Sequence, residues 1–208
     1  MQKNSAQLYR DSMKQNLWHI ILFAVTAALF FGASQIDMSP KKSYGMPQNI
    51  NPIKIKDGFL YYDSLILSLE KIPKVRQLHT LAKKVVGKWY KMYTAIKIEE
   101  SGNDGQNSYY AKNYYNLVGM RYPRKRKTTA IRMGNDYYAV YANWYEGMID
   151  FRYYIDYMEG SFQRKFNREP RNEVEFINHI YGSYNIYSKW KKDVFWILRR
   201  HPVMRDTL

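Results

Sequence analysis

Lys88-Trp89-Tyr90-Lys91-Met92-Tyr93-Thr94-Ala95-Ile96-Lys97-Ile98-Glu99-Glu100-Ser101-Gly102 is the stretch on which the reading of this chain turns. Val85, Trp89, Met92 and Ile96 recur at intervals of four, three and four residues, which places them on one apolar stripe of a helix predicted over 75–99. Gly102 suits the end of that helix, because glycine accepts the backbone conformation that terminates a helix at little steric cost. A carboxyl group at the end of a buried helix, beside aromatic side chains, is shielded from water, and burial favours its protonated form. Such a group can act as a proton donor near neutral pH. Glu100 is the expected donor; a helix ending one residue earlier would present Glu99 instead.

Outward from this helix, Leu60, Leu65, Leu67 and Leu69 predict an earlier helix that ends near Pro73. Residues 103–115 are polar and aromatic. Residues 121–141 read as a hairpin, with strand-prone runs at 128–131 and 137–141 around a Gly134-Asn135-Asp136 turn. Helices follow at 144–158, 173–179 and 187–199. The expected fold is mainly α with one small β-hairpin, and no internal repeat is present.

Residues 17–33 are almost wholly apolar, interrupted by His19 and Thr26 and preceded by Lys3, Arg10 and Lys14. A span needs roughly 20 apolar residues, and a signal core about 7–15. The segment lies between the two, so 1–34 is expected to be a signal peptide, cut after Ser34, or a single membrane anchor. The positive flank predicts a cytoplasmic N-terminus and an exported remainder, periplasmic or at the cell envelope. Residues 35–58, with Pro40, Pro47 and Pro52, read as a linker. One globular domain is expected over 59–208.

The 208 residues carry 33 Lys+Arg against 18 Asp+Glu, a formal charge of +15, so polyanions of several classes are drawn to the chain. The basic run Pro123-Arg124-Lys125-Arg126-Lys127 reads as a solvated loop, and the exported topology argues against nucleic acid as its partner. The absence of cysteine excludes disulfides, thiol nucleophiles and a lipoprotein anchor. The four histidines show no metal-ligand spacing, so neither a metal site nor a cofactor is expected. Trp190 and Trp196 on the last helix read as core. The 21 tyrosines combine flat apolar faces with hydroxyls, which suits sugar rings and nucleobases alike.

Three short motifs in order carry a more specific signal. Glu99-Glu100-Ser101-Gly102 closes the helix, Asn116-Leu117-Val118-Gly119-Met120 follows, and Tyr141-Ala142-Asn143-Trp144-Tyr145-Glu146-Gly147-Met148 comes after the hairpin. Together with Ile180-Tyr181-Gly182 and Tyr187, this pattern resembles glycoside hydrolase family 73, the peptidoglycan glucosaminidases, over about residues 80–195. The resemblance implies a lysozyme-like fold and cleavage of the β-1,4 bond after N-acetylglucosamine, with peptidoglycan glycan strands as partner. It further implies Glu100 as general acid, Asn116 and Gly119 in the turn beneath the cleft, Tyr141 and Trp144 in its wall, and Tyr181 at the sugar site. The chain departs from the pattern in its hairpin, where Asp136 is the sole acidic residue, and in 182–186, which lacks one. Two alternatives therefore stand beside the hydrolase: a non-catalytic glycan-binding or envelope or virion module, and a lytic transglycosylase, which also uses one glutamate. The oligomeric state is unreadable from sequence.

Overall fold

The computed structural model describes residues 53–105 and 107–205. The expected signal or anchor at 17–33 and most of the expected linker lie outside them. Among the described residues no helix is long and apolar enough to cross a membrane.

The fold begins with an antiparallel three-stranded sheet: β1 (Lys54–Lys56), β2 (Phe59–Tyr62) and β3 (Leu65–Ser68). This corrects two expectations, the helix through Leu60–Leu69 and a linker reaching residue 58. The local chemistry accounts for both. Asp57 and Gly58 take φ of 50° and 76°, the left-handed pair that a two-residue hairpin turn requires. In the turn between β2 and β3 Asp63 alone takes a positive φ, 48°. Leu60, Tyr62 and Leu67 are buried while Phe59, Tyr61 and Ile66 are exposed, the two-residue alternation of a half-buried sheet.

The helical part comprises α1 (Val75–Val85), a 3-10 turn Gly87–Trp89, α2 (Tyr90–Ser101), α3 (Tyr109–Tyr114), α4 (Trp144–Phe166), α5 (Glu173–Ile180) and α6 (Ser188–Arg200). The single helix expected over 75–99 is thus two, broken where Gly87 takes φ +70°. The residues 109–114, read from the sequence only as polar and aromatic, form a short helix capped by the Ser108 hydroxyl, which accepts from the Ala111 amide. Asn143 and Asn172 cap α4 and α5 in the same way, each side-chain oxygen accepting an amide at 3.0 Å. Between α3 and α4, β4 (Arg132–Met133) pairs with β5 (Ala139–Val140) around the expected turn. The hairpin is real but shorter than its strand-prone residues. The mainly α composition with a small antiparallel β component holds; the three-stranded sheet is an addition to the one hairpin expected.

Helix α2 is the centre of the domain. It packs against α1, α5 and α6, and residues 92–97 are all buried, so it has no solvent stripe. Its buried Thr94, Lys97 and Ser101 are satisfied locally, Ser101 by donating to the Lys97 carbonyl at 2.9 Å, whereas the buried Tyr93 hydroxyl has no hydrogen-bond partner. The Thr94 hydroxyl donates to the Tyr90 carbonyl at 2.9 Å and lies 2.9 Å from His79 Nδ1. Lys97 is 0% exposed; its ammonium donates to the carbonyls of Gly102 at 2.5 Å and Asn103 at 2.7 Å. Burial lowers its pKa to about 8, opposed by the charge of Asp104.

The second internal charge system ties the basic loop to the core. Arg126 makes two parallel hydrogen bonds of 2.8 Å to Asp150 on α4, and the Tyr141 hydroxyl donates to the same carboxylate at 2.7 Å. The Arg126 and Asp150 side chains are 7% and 0% exposed. Burial alone would raise the Asp150 pKa; hydrogen bonds from Arg126, Thr128 and Tyr141 and the guanidinium charge outweigh it and hold the carboxylate below its usual range. Removing one partner strands the other charge in the interior. Asp150→Asn is therefore expected to cost about 3–5 kcal/mol in urea unfolding. Adding Arg126→Met should recover part of that loss, because the stranded charge is gone.

Candidate active site

The site is built at the point where α2 stops. Gly102, at φ 71° and ψ −178°, turns the chain out of the helix, and its amide still donates to Ile98. Lys97 caps the freed carbonyls from within. These two constraints fix the last turn, so Glu100 leaves the helix in one direction, towards a cavity of about 350 Å³ lined also by Glu99, Asn185, Tyr187, Lys189 and Trp190.

The Glu100 carboxyl is held by neutral donors. The Trp190 indole N–H donates to Oε1 at 2.9 Å, and the Asn185 side chain supplies a second hydrogen bond. Loss of hydration is the largest influence and raises the pKa; the Trp190 bond lowers it, the charge of Glu99 raises it, and Asn185 lowers it. The balance lies at about 7, against an ordinary value of 4.5. Among the described residues no cation forms an ion pair with this carboxyl. A group so placed is protonated in an appreciable fraction of molecules at neutral pH and can both give and retrieve a proton.

Gly119 makes this placement sterically feasible. Its φ is +66°, and a Cβ at this position would lie 2.7 Å from Glu100 Oε2. The neighbouring backbone is stapled in place by Asn116. This buried amide donates to the carbonyls of Met120 at 2.8 Å and Ala139 at 3.0 Å, and its oxygen accepts the Met120 amide at 2.8 Å. Asn116 thus holds the turn that carries Gly119, with its hydrogen bonds spent on backbone.

The remaining expected site residues are placed differently. Tyr141 and Trp144 are core rather than cleft wall. Tyr141 is 2% exposed and bound to Asp150; Trp144 is 0% exposed, with its indole donating to the Ser68 carbonyl at 2.8 Å. The cause is that Asn143 starts α4 directly before Trp144, and the first turn of this helix faces β3. Tyr181 closes the loop after α5, its hydroxyl donating to the Ile186 carbonyl at 3.0 Å, and so orients Asn185 within that loop. Asp136 sits in the hairpin turn and accepts the Tyr110 hydroxyl at 2.8 Å.

Sequence reasoning missed Trp190, Asn185 and Tyr184. Tyr184 stacks on Trp190 at 5.3 Å between centroids and donates its hydroxyl to the Val118 carbonyl. It is the strut between the C-terminal loop and the Gly119 turn. Burial, then the nearby Glu100 charge, raise its pKa well above the usual tyrosine value. The available signal was the helical spacing of Trp190, Val194 and Ile197, which points Trp190 inward towards α2. Among the described residues no cluster of His, Asp and Glu is placed to hold a metal ion. Comparison with protein-family models, curated proteins and solved structures finds no match for this chain.

Glu100 binds its proton more tightly in the folded protein than in the unfolded chain. Its stabilising contribution is therefore full below about pH 4.5 and is lost as pH rises through about 7. Glu100→Gln mimics the protonated form. At pH 8 it should be more stable than the parent by on the order of 3 kcal/mol at most, and the difference should vanish at pH 4. Urea unfolding at the two pH values checks this. Gly119→Ala should instead lose about 1–3 kcal/mol at both, because an L-residue is strained at this φ and its Cβ meets the Glu100 carboxyl whether or not that group carries its proton.

Proposed function

We propose that this chain is a peptidoglycan hydrolase with a lysozyme-like fold, cleaving the β-1,4 bond after N-acetylglucosamine with Glu100 as general acid. The observation that carries this reading is the Glu100 carboxyl itself. It stands at the end of a buried helix, holds a pKa of about 7, is bound by neutral donors and opens onto a cavity. The order of motifs along the sequence adds support, since Glu100 of the first motif and Gly119 of the second meet at the site.

Breaking a glycosidic bond requires a proton on the leaving oxygen and stabilisation of positive charge at the anomeric carbon. Glu100 supplies the proton. Glu99 is the other carboxylate lining the cavity, but it is the adjacent helical residue and points about 100° away around the helix axis. That arrangement favours a mechanism in which the substrate assists. The acetamido oxygen of the N-acetylglucosamine attacks its own anomeric carbon as the glycosidic C–O bond breaks, and the leaving oxygen takes the proton of Glu100. Glu100, now ionised, removes a proton from water, which opens the cyclic intermediate and leaves a reducing end. The same single acid favours one second reading, a lytic transglycosylase, in which a hydroxyl of the glycan replaces that water. The apolar segment at 17–33 and the +15 charge would keep the domain at an anionic envelope.

Digestion of purified peptidoglycan by the full chain, with products identified by mass spectrometry, tests the reading. Reducing N-acetylglucosamine ends are expected, and anhydro-muramyl ends would establish the transglycosylase. Glu100→Gln should lower the rate by about 10²–10⁴. Activity of the parent should fall about tenfold per pH unit above about pH 7, as the acid loses its proton. A protein that binds the wall and releases nothing would refute both enzymatic readings.

A further inference from the structure

The Gly119 turn has two sides. Glu100 lies against one; the other opens into a separate cavity of about 280 Å³, formed by residues 119–126, by Tyr154 and Tyr157 of α4, and by Ser183 and Tyr184. Gly119 and Tyr184 are thus a wall common to both features: Gly119 abuts the Glu100 carboxylate, and Tyr184 stacks on the indole that binds it. No residue lining this second cavity carries a carboxylate, whereas four carry positive charge.

Two of those four charges are already engaged. Arg126 is paired with Asp150, and Arg121 donates to the Asp136 carbonyl while its guanidinium lies 4.8 Å from the Tyr138 ring centroid. Arg124 and Lys125 are exposed and form no ion pair among the described residues. They are nonetheless not on a loose loop. Arg126, the next residue, is buried and held by the two-pronged bond to Asp150, so the cations beside it are presented from an anchored backbone. The cost of ordering them for a ligand is correspondingly reduced. The aromatic faces of Tyr122, Tyr154 and Tyr157 line the same space, and flat apolar faces suit sugar rings.

We propose that this cavity is an anion-recognising subsite beside the Glu100 site. It takes a carboxylate- or phosphate-bearing unit of a carbohydrate polymer, with Arg124 and Lys125 as the charged contacts. The proposal rests on the glycan-cleaving reading of Glu100. A polymer lying across the Gly119 turn would place one unit at Glu100 and an anionic unit in the basic cavity, so the chain would prefer charged wall glycan to neutral oligomers of N-acetylglucosamine.

The test compares the full chain with Arg124→Gln/Lys125→Gln on three substrates: peptidoglycan retaining its phosphodiester polymers, the same material after their chemical removal, and a neutral chitin hexamer. Circular dichroism melting checks the fold of the variant, and Arg124→Lys, which keeps the charge, should retain parental affinity. The double variant is expected to raise KM on charged glycan about tenfold with kcat within about twofold, the size expected for two exposed ionic contacts. A rise on both wall preparations assigns the anion as a carboxylate of the peptide-bearing glycan. A rise confined to the phosphate-bearing preparation assigns it as phosphate. An unchanged KM on both, or an equal rise on the neutral hexamer, overturns the proposal and leaves the hydrolase reading standing. If the parent cleaves none of the substrates, the hydrolase reading fails by itself, and co-sedimentation with the same walls decides the subsite. Equal binding of parent and double variant would overturn it; weaker, salt-sensitive binding of the variant would support it.

Discussion

A helix that is buried on every side must still end, and ending it exposes carbonyl groups that need donors. In this domain a side chain of α2 itself meets part of that requirement, at the cap residue and the residue beyond it. The donor is Lys97, four residues before the last helical residue, whose ammonium folds forward onto the carbonyls of Gly102 and Asn103. An ammonium at a helix C-terminus is favoured by the helix dipole as well as by the hydrogen bonds. Burial opposes it, which is why its pKa falls to about 8. That value still lies above neutral pH, with the charge of Asp104 opposing the effect of burial, so the ammonium stays charged and locks the turn from which Glu100 emerges. The position of the carboxyl is therefore a consequence of how the core helix terminates.

The electrostatic character of Glu100 follows from what surrounds it at that point. A carboxylate near a bound guanidinium is driven to low pKa, as Asp150 demonstrates within the same molecule. Glu100 has an indole N–H and an amide instead. Neutral donors stabilise the anion less than a cation would, so loss of hydration prevails and the proton is retained to about pH 7. The two buried carboxyl groups thus divide the roles: one is kept ionised to hold the basic loop on α4, the other is kept available for proton exchange. The domain separates them by assigning the arginine to Asp150 and the tryptophan to Glu100.

The parts of this arrangement that were legible in the sequence are those governed by local periodicity and by short-range motifs. Met92 and Ile96 of the apolar stripe lie on the core helix, while Val85 ends α1 and Trp89 lies in the 3-10 turn between the two helices; Gly102 marked the helix end and Glu100 its outgoing carboxyl. Gly119 was singled out, and its contact with Glu100 gives it a steric reason. The failures have definite causes. The leucines at 60, 65, 67 and 69 satisfy a loose helical pattern, but the Asp57-Gly58 turn imposes a hairpin, and turn chemistry outweighs the preference of leucine for helices. Tyr141 and Trp144 were read as cleft wall from a linear motif, whereas the start of α4 turns them inward. Trp190 and Tyr184 lie more than eighty residues from Glu100 in the chain; helical spacing turns Trp190 inward, but local spacing does not name a partner at that range.

Tyr184 shows why the two sides of the Gly119 turn are mechanically one object. Its ring stacks on Trp190, which holds the Glu100 carboxyl; its hydroxyl holds the Val118 carbonyl, next to Gly119; and it also lines the basic cavity. The turn is fixed from the opposite side by Asn116, which ties it to β5. Residues 116–120 are thereby clamped between a buried amide and a buried phenol, and no side chain at 119 intervenes between the clamped backbone and the carboxyl. A polymer bound as proposed would meet a ridge held from two sides, with the Glu100 carboxyl on one flank and cations on the other. The groups that orient the Glu100 carboxyl therefore also shape the neighbouring cavity, and the two features share one wall.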